Sequence, residues 1–212
     1  MNEIDRGRAV LKRRASLANY AIMIYLATEV ASLLSNLLIQ SGVAGTDDDS
    51  SFALSVGLVI FSAPLMLIVS AILIGMWIHR AHANLFAARL GGLEYTPGWS
   101  VGWFFVPFAN LVKPFRAMRE LYNRSLALDD SYDSSNPSNL RIWWGCYLAG
   151  SIAGNFSYKL DNGSILSPAA GATAISIISS ILLIASAIKL RKIIVTVTDA
   201  QHTTMGVGEA FA

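Results

Sequence analysis

A run of 27 residues without one charged side chain, from Phe52 to Ile78, is the strongest constraint on how this chain folds. A helix needs about 20 mostly apolar residues to cross a hydrocarbon core of about 30 Å, so this run is long enough to cross with a tilt. Pro64 lies near its centre, where the missing backbone donor predicts a kink. We expect a kinked membrane-spanning helix; a hinge that gates a pathway is the alternative.

Three further apolar runs predict an all-α integral membrane bundle of about four transmembrane helices. The spans are expected at about 16–40, 52–78, 142–158 and 165–188, and the third is at the lower length limit. The first run is too long for the apolar part of a cleaved signal peptide, so we expect it to remain as a helix. Only 14% of the residues are charged, against about 25% in soluble domains. The 212 residues are expected to form a single membrane domain.

The placement of charges predicts that both ends of the chain lie on the cytoplasmic side. With four spans and the amino terminus inside, fifteen of the sixteen Lys and Arg residues fall in cytoplasmic segments. Lys159 alone falls outside, together with the acids of the first outer loop, Asp47, Asp48 and Asp49. This distribution matches the positive-inside rule. The cytoplasmic cations are Arg6, Arg8, Lys12, Arg13, Arg14, Arg80, Arg89, Lys113, Arg116, Arg119, Arg124, Arg141, Lys189, Arg191 and Lys192.

A fifth apolar stretch, residues 97–114 (PGWSVGWFFVPFANLVKP), is expected not to cross the membrane. If it crossed, the basic residues on both sides of the third and fourth spans would exchange sides, against the positive-inside rule. The stretch is therefore either re-entrant and packed among the helices, or interfacial with its Trp and Phe side chains in the aromatic belt. After it, residues 115–128 predict an amphipathic cytoplasmic helix with Glu120 on its polar side. Residues 198–212 are predicted to be a disordered tail.

A spaced set of residues between Trp77 and Trp144 has a recognisable pattern. Its members are Trp77, Arg80, Ala81, Asn84, Pro97-Gly98-Trp99, Gly102-Trp103-Phe104, Pro107, Asn110, Pro114, Met118-Arg119-Glu120-Leu121 and Trp143-Trp144. The pattern resembles DUF4328, a family of bacterial membrane proteins whose function is unknown. The resemblance implies a multi-pass helical protein of a bacterial plasma (inner) membrane. It brings no catalytic residue, cofactor or substrate with it.

Glu29, the single charge in the first apolar run, is the most informative polar residue of the spans. An acid near the membrane midplane costs about 2.5–3.5 kcal/mol on insertion scales. Glu29 belongs to a stripe at helical spacing that faces the interior of the bundle, formed by Tyr25, Glu29, Ser32, Asn36 and Gln40. Two interpretations follow. Glu29 is either a neutral acid hydrogen-bonded to a neighbouring helix or to segment 97–114, or a proton- or cation-linked site.

Any function is expected to involve this polar stripe and the segment 97–114. The candidate functional residues are Glu29, Asn36, Arg80, Asn84, Trp99, Trp103, Pro107 and Asn110. His79 and His82 lie three residues apart, but a metal site normally needs at least one more ligand. We therefore expect interfacial histidines, and neither a metal nor a cofactor. Gly150 and Gly154 predict a close helix contact, with Ala172, Ser176 and Ser180 as the facing ridge.

No catalytic constellation is present, and the absence of phosphate-loop, dinucleotide and serine-elbow motifs argues against an enzyme. The net charge of +2 gives no reason to expect nucleic acid. The expected partners are the lipid bilayer and a membrane-protein partner or a homo-oligomer. The leading hypothesis is a non-catalytic scaffold or partner-binding membrane protein. The alternative is a small-solute or proton-linked ion pathway formed by an oligomer.

Overall fold

The structure is a computed structural model, and it describes residues 3–42, 51–126, 137–162 and 169–210. Every regular element in these ranges is helical, which confirms the all-α prediction. The helices are α1 (Glu3–Gln40), α2 (Ser51–Ala87), α3 (Pro97–Gly102), α4 (Lys113–Leu126), α5 (Ser138–Asn162) and α6 (Ala169–Ala210). The acids Asp47, Asp48 and Asp49 lie outside the described residues, as does the predicted start of the last span.

Three helices are long and apolar enough to cross a membrane. They contain the segments Asp5–Ile39, Ala53–Ala87 and Gly171–Thr203, in which an 18-residue window has a mean hydropathy of 1.8, 2.6 and 2.1, respectively. Their placement agrees with three of the four predicted spans. The third predicted span, 142–158, lies in α5, and its 17 uncharged residues are at the short end of the 17–25 residues that a span needs.

Helix α6 corrects the prediction of a disordered tail after residue 197. It continues without a break to Ala210, and Thr198 and Gln201 are buried. The prediction was wrong because apolar positions recur at helical spacing up to this point, so the helix keeps one face in a core. Ile194, Val197 and Gln201 are all fully buried on that face.

The segment 97–114 does not form one continuous helix. It is divided into α3, a 3₁₀ turn at Trp103–Phe105, another at Ala109–Leu111, and the start of α4. Pro97 begins α3, and the Thr96 side chain accepts a hydrogen bond from the Trp99 amide as its N-cap. Helix α4 corresponds to the predicted amphipathic helix and begins at Lys113.

The chain divides into two compact units, each made of separate segments. Unit 1 comprises residues 1–20, 71–141 and 189–212. Its core contains large, fully buried apolar side chains from helices α1, α2, α4, α5 and α6, among them Leu11, Trp77, Ile78, Leu85, Met118, Leu121, Leu140, Ile193 and Ile194. Trp77 Nε1 donates to Thr198 Oγ1 at 3.1 Å, so even the ring nitrogen at the centre of this core is bonded.

Unit 2 comprises residues 21–70 and 142–188. Its helices meet through small residues, and Gly154 approaches α6 so closely that an added Cβ would lie 2.9 Å from Ser179 Oγ. Gly150 packs against Leu182 and Leu183 of α6. The close helix contact predicted at these glycines is therefore present within one chain. The facing ridge is different from the predicted one, because Ser179 and Leu183 replace Ser176 and Ser180 as the contacting residues.

Candidate functional site

Arg80 and Asn84, two of the predicted site residues, meet on adjacent turns of α2 in unit 1. Arg80 Nε donates to Asn84 Oδ1 at 2.9 Å. Asn84 Nδ2 in turn donates to Gln201 Oε1 at 3.1 Å, on α6. Gln201 Nε2 donates to the Ala81 carbonyl at 3.1 Å and to Ser125 Oγ, on α4, at 2.9 Å. We call Ala81, Asn84, Ser125 and Gln201 the Gln201 network.

The Gln201 network fixes three helices in one register. Gln201 and Ser125 are fully buried and Asn84 is 4% exposed, so their polar groups have no access to water. A buried polar group that loses its partner costs about 1–3 kcal/mol, so the helices cannot slide without a penalty at each bond. Helix α1 comes close at Gly7, where a Cβ would lie 2.6 Å from Asn84 Oδ1 and would overlap the Arg80 guanidinium. A larger residue there would have to displace the Arg80 guanidinium and the Asn84 amide oxygen.

Glu120 corrects the prediction that α4 turns it to its polar face. Its side chain is only 6% exposed, and it accepts hydrogen bonds from the Glu94 amide at 2.6 Å and the Tyr95 amide at 3.1 Å. Burial raises the pKa of the Glu120 carboxyl above its ordinary value, and these two amides oppose that rise. The carboxylate ties the loop after α2 to α4, which is why a charged residue occupies a buried position.

A small cavity with a volume of about 150 Å³ lies between this loop, α3 and the start of α4. Six residues line it: Glu94, Tyr95, Thr96, Trp99, Trp103 and Lys113. We call it the Lys113 cavity. It has room for about five water molecules at roughly 30 Å³ each, so it suits a small polar group rather than a drug-sized ligand.

The ammonium group of Lys113 lies over two aromatic rings of the cavity. Lys113 Nζ lies 5.5 Å from the ring centre of Trp103 and 5.7 Å from that of Tyr95, within cation–π range. It also lies 3.9 Å from Glu94 Oε1. The rings of Trp99 and Trp103 are 4.8 Å apart, so these two predicted site residues do come together.

Tyr95 is 3% exposed, and its hydroxyl is buried without a hydrogen bond of acceptable geometry among the described residues. Burial and the nearby Glu94 carboxylate raise the pKa of Tyr95 to about 12, so its hydroxyl keeps its proton at neutral pH. A protonated phenol is a hydrogen-bond donor. The acceptor nearby is the Glu94 carboxylate, although its geometry falls short of a good hydrogen bond.

Residues 97–112, which we call the Trp/Phe segment, expose large apolar side chains outside the Lys113 cavity. Phe105 is 80% exposed and Phe108 is 87% exposed. Phe108 has a backbone φ of 60°, a conformation that is strained for a bulky residue. Pro107 is also exposed, and Asn110 is half-buried in the second 3₁₀ turn. These two predicted site residues are not members of the Gln201 network.

Glu29 and Asn36 lie in unit 2 and are half-buried. Glu29 interacts with Tyr25, one turn earlier on the same helix, and Tyr147 of α5 lies close to Tyr25. The described residues include no Lys or Arg in an ion pair with Glu29. The structure therefore places Glu29 beside a phenol, as the polar stripe predicted.

The two histidines near the end of α2 differ sharply in environment. His79 is exposed, whereas His82 is fully buried with Nδ1 at 3.1 Å from the Ile78 carbonyl. The interfacial position predicted for both is thus wrong for His82, because its ring belongs to the unit 1 core. In the described ranges, no group of three or more His, Cys, Asp or Glu side chains could hold a metal ion.

Sequence reasoning missed Gln201, Glu120 and Lys113 as members of sites. Gln201 could have been found, because it continues the apolar spacing of Ile194 and Val197 and so falls on the buried face of α6. Lys113 was counted only as a cytoplasmic cation, and its position over two rings depends on how the segment before it folds back.

Comparison with known proteins identifies the family. The family model described as "Domain of unknown function (DUF4328)" matches residues 35–199. This range contains the Lys113 cavity and the candidate residues from Asn36 to Asn110, but it excludes Glu29. Searches of curated proteins and of solved structures each found no match. The chain belongs to the DUF4328 family.

Proposed function

We propose that the chain is a non-catalytic scaffold of a bacterial plasma membrane, with four spans and both ends in the cytoplasm. The observation that carries the proposal is the exposed Trp/Phe segment on a unit whose interior is tightly bonded. An exposed apolar patch on a well-packed unit marks a surface that binds a membrane or a protein. In this proposal the Trp/Phe segment lies in the cytoplasmic membrane interface and unit 1 presents a rigid surface to a membrane-protein partner.

The broken geometry of the Trp/Phe segment supports an interfacial position over a re-entrant one. Backbone that is not helical is tolerated at membrane depth only when it is covered by protein or lines a watery cavity. The side chains of Phe105, Phe108 and Leu111 are instead 80%, 87% and 47% exposed. Aromatic side chains are favoured at the interface, where a strained, outward Phe108 gains apolar contact that the protein does not give it.

The interfacial position is tested by quenching of tryptophan fluorescence with acyl-brominated lipids in nanodiscs. Trp99 is 54% exposed, so the part of the tryptophan fluorescence that the brominated lipids quench should be smaller in Trp99→Phe than in the wild type. The matched control is Trp77→Phe, because Trp77 is fully buried and its loss should leave the quenched part unchanged. Equal quenching in the wild type and in Trp99→Phe would contradict the interfacial position.

The scaffold role is tested by copurification of the full chain in a mild detergent. The proposal predicts a foreign membrane protein in fixed stoichiometry. It also predicts that the complex survives Glu29→Gln, since the proposed surface does not include that residue. A stable homo-oligomer without a foreign component would contradict the scaffold role.

A proton-linked pathway is the second candidate, and the pairing of Glu29 with Tyr25 favours it. Acidic residues inside membrane spans are a feature of proton relays, and the Tyr25 hydroxyl gives the Glu29 carboxyl a neighbour that can exchange a proton with it. Four helices are few for a pathway, so this function would need an oligomer. Unchanged flux in proteoliposomes carrying Glu29→Gln would eliminate it, whereas lost flux with intact folding would support it.

A further inference from the structure

We propose that the Lys113 cavity binds the headgroup of a zwitterionic amine phospholipid, with Lys113 contacting the phosphate and Glu94 the ammonium. The inference rests on the proposed interfacial position of the Trp/Phe segment. It adds a ligand class and the residues that select it.

The charges of the cavity are suited to a ligand that carries both signs. Lys113 Nζ and Glu94 Oε1 are 3.9 Å apart, at the outer limit of an ion pair, and their side chains are 36% and 65% exposed. A pair this long and this exposed contributes little to stability. Each group can therefore exchange its partner for an opposite charge on a ligand at small cost.

The aromatic lining suits the same ligand. Trp103 and Tyr95 already hold one ammonium group, that of Lys113, over their faces. Trp99 stands 4.8 Å from Trp103 and is 54% exposed, so its ring can contact a second ammonium beside the Glu94 carboxylate. Aromatic rings next to a carboxylate attract an alkylammonium group through cation–π and charge interactions.

The surroundings favour a lipid over a soluble phosphoamine. Val112, directly before Lys113, is 48% exposed, and the exposed Phe105 and Phe108 belong to the same segment. Acyl chains attached to the headgroup would contact this apolar surface, whereas a free headgroup would gain nothing from it. An anionic lipid without an amine leaves Glu94 facing negative charge, which predicts selection against it.

The test is a titration of the detergent-solubilised full chain, followed by native mass spectrometry. The probes are short-chain phosphatidylethanolamine, short-chain phosphatidylglycerol and free phosphoethanolamine. The wild type should bind phosphatidylethanolamine at least about tenfold more tightly than either of the others, the factor expected for one charge-assisted contact. Equal binding of the two lipids would overturn the headgroup assignment, and equal binding of free phosphoethanolamine would overturn the lipid source.

Two substitutions separate the two charges. Lys113→Gln should weaken the binding of both lipids about tenfold, because both have a phosphate. Glu94→Gln should weaken the binding of phosphatidylethanolamine only, and so reduce the preference for this lipid over phosphatidylglycerol. Lys192→Gln and Asp199→Asn are the matched controls, since both side chains are exposed on α6 and should leave binding unchanged. An unchanged preference in Glu94→Gln would overturn the proposal.

Failure of the interfacial position and failure of the headgroup site can be told apart. If brominated lipids quench Trp99 but headgroup preference is absent, the interfacial position stands and the cavity assignment is overturned. If Trp99 is not quenched, the interfacial position is overturned, and with it the lipid source of any bound phosphoamine.

Discussion

Unit 1 and unit 2 are built from the same long helices, yet different interactions hold each together. Unit 1 buries large apolar side chains such as Trp77 and Met118, and hydrogen bonds join some of its buried polar side chains, among them Trp77 to Thr198 and Asn84 to Gln201. Unit 2 exposes large apolar side chains, with Leu58 at 72% and Phe61 at 85% exposed. Unit 1 therefore resembles the interior of a water-soluble domain, and unit 2 resembles helices that are solvated by lipid.

The buried serines of unit 2 show how such helices are joined. Four of them donate the hydroxyl to a backbone carbonyl on another helix of the unit. The bonds are Ser70 to Ala21 (3.3 Å), Ser157 to Ala172 (2.6 Å), Ser179 to Gly150 (2.8 Å) and Ser186 to Trp143 (3.1 Å). Lipid gives helices no hydrophobic reason to associate, so small residues and such hydrogen bonds are what association depends on in membranes.

The largest effect should come from breaking the Gln201 network in unit 1. Gln201→Leu removes three hydrogen bonds and leaves the Asn84 amide, the Ser125 hydroxyl and the Ala81 carbonyl with fewer partners. We expect a loss of about 3 kcal/mol or more in the free energy of unfolding, at about 1–3 kcal/mol for each buried unsatisfied group. Thermal or denaturant unfolding in detergent measures it.

His202→Leu is the control for that change, because the neighbouring His202 is exposed on the same helix. It should shift the free energy of unfolding by less than about 0.5 kcal/mol. Equal effects of the two substitutions would show that unit 1 does not have this bonded core.

A charge on the exposed apolar face of unit 2 should have the next largest effect. Phe61→Arg places a guanidinium where the side chain is 85% exposed. If lipid covers this face, insertion of the helix should become less favourable by about 2.5–3.5 kcal/mol. A membrane-insertion assay measures the change, with Phe61→Leu as the matched apolar control. Normal insertion of Phe61→Arg would mean that water or protein, rather than lipid, covers the face.

The buried carboxyl of unit 1 should make its stability depend on pH. Because burial raises the folded-state pKa of Glu120 above 4.5, the folded state binds more protons than the unfolded state between the two values. The contribution to stability is therefore full below the ordinary pKa and is lost as the pH rises through the raised pKa.

The free energy of unfolding, measured across this acid range, should decrease as the pH rises in the wild type but not in Glu120→Gln. The introduced amide would keep one acceptor for the loop amides and place its NH₂ group against the other, so we also expect about 1–2 kcal/mol of lost stability. Asp199→Asn, at an exposed position, should retain the wild-type pH dependence. A stability that rises with pH in this range and is unchanged by Glu120→Gln would contradict a raised pKa for Glu120.

The smallest effect should come from removing one serine bond of unit 2. Ser179→Ala loses the 2.8 Å bond to the Gly150 carbonyl, and single interhelical hydrogen bonds in membranes contribute about 0.6 kcal/mol on average. Ser55→Ala is the control, because the Ser55 hydroxyl is exposed and bonds to Ser51 of its own helix. The free energy of unfolding in bicelles should decrease for Ser179→Ala and not for Ser55→Ala.

The sequence alone predicted the features that depend on composition over long stretches of the chain. The 27-residue run from Phe52 to Ile78, and the runs before and after it, predicted the apolar helices that α1, α2 and α6 contain. The placement of the basic residues predicted that segment 97–114 does not cross the membrane, and the structure divides this segment into short helical elements. The close helix contact at Gly150 and Gly154 followed from their spacing.

The site depended on contacts that composition does not encode. Arg80 and Asn84 were found through the family pattern, but their partner Gln201 lies 117 residues after Asn84. Glu120 was assigned to the polar face of α4 because a charged residue is usually exposed, and two loop amides reverse that preference here. Lys113 joins Glu94 only because the intervening chain turns back in short helical segments.

The most direct test of the proposed membrane architecture is cysteine labelling from outside intact cells, with the native Cys146 replaced by Ser. Single cysteines at Ser41, Ser138, Tyr158 and His202 report the ends of the proposed spans, and all four positions are exposed. We expect labelling at Ser41→Cys and Tyr158→Cys, and protection at Ser138→Cys and His202→Cys until the cells are opened. Protection at Tyr158→Cys would show that α5 does not cross, and labelling at Ser138→Cys or His202→Cys would contradict the cytoplasmic orientation.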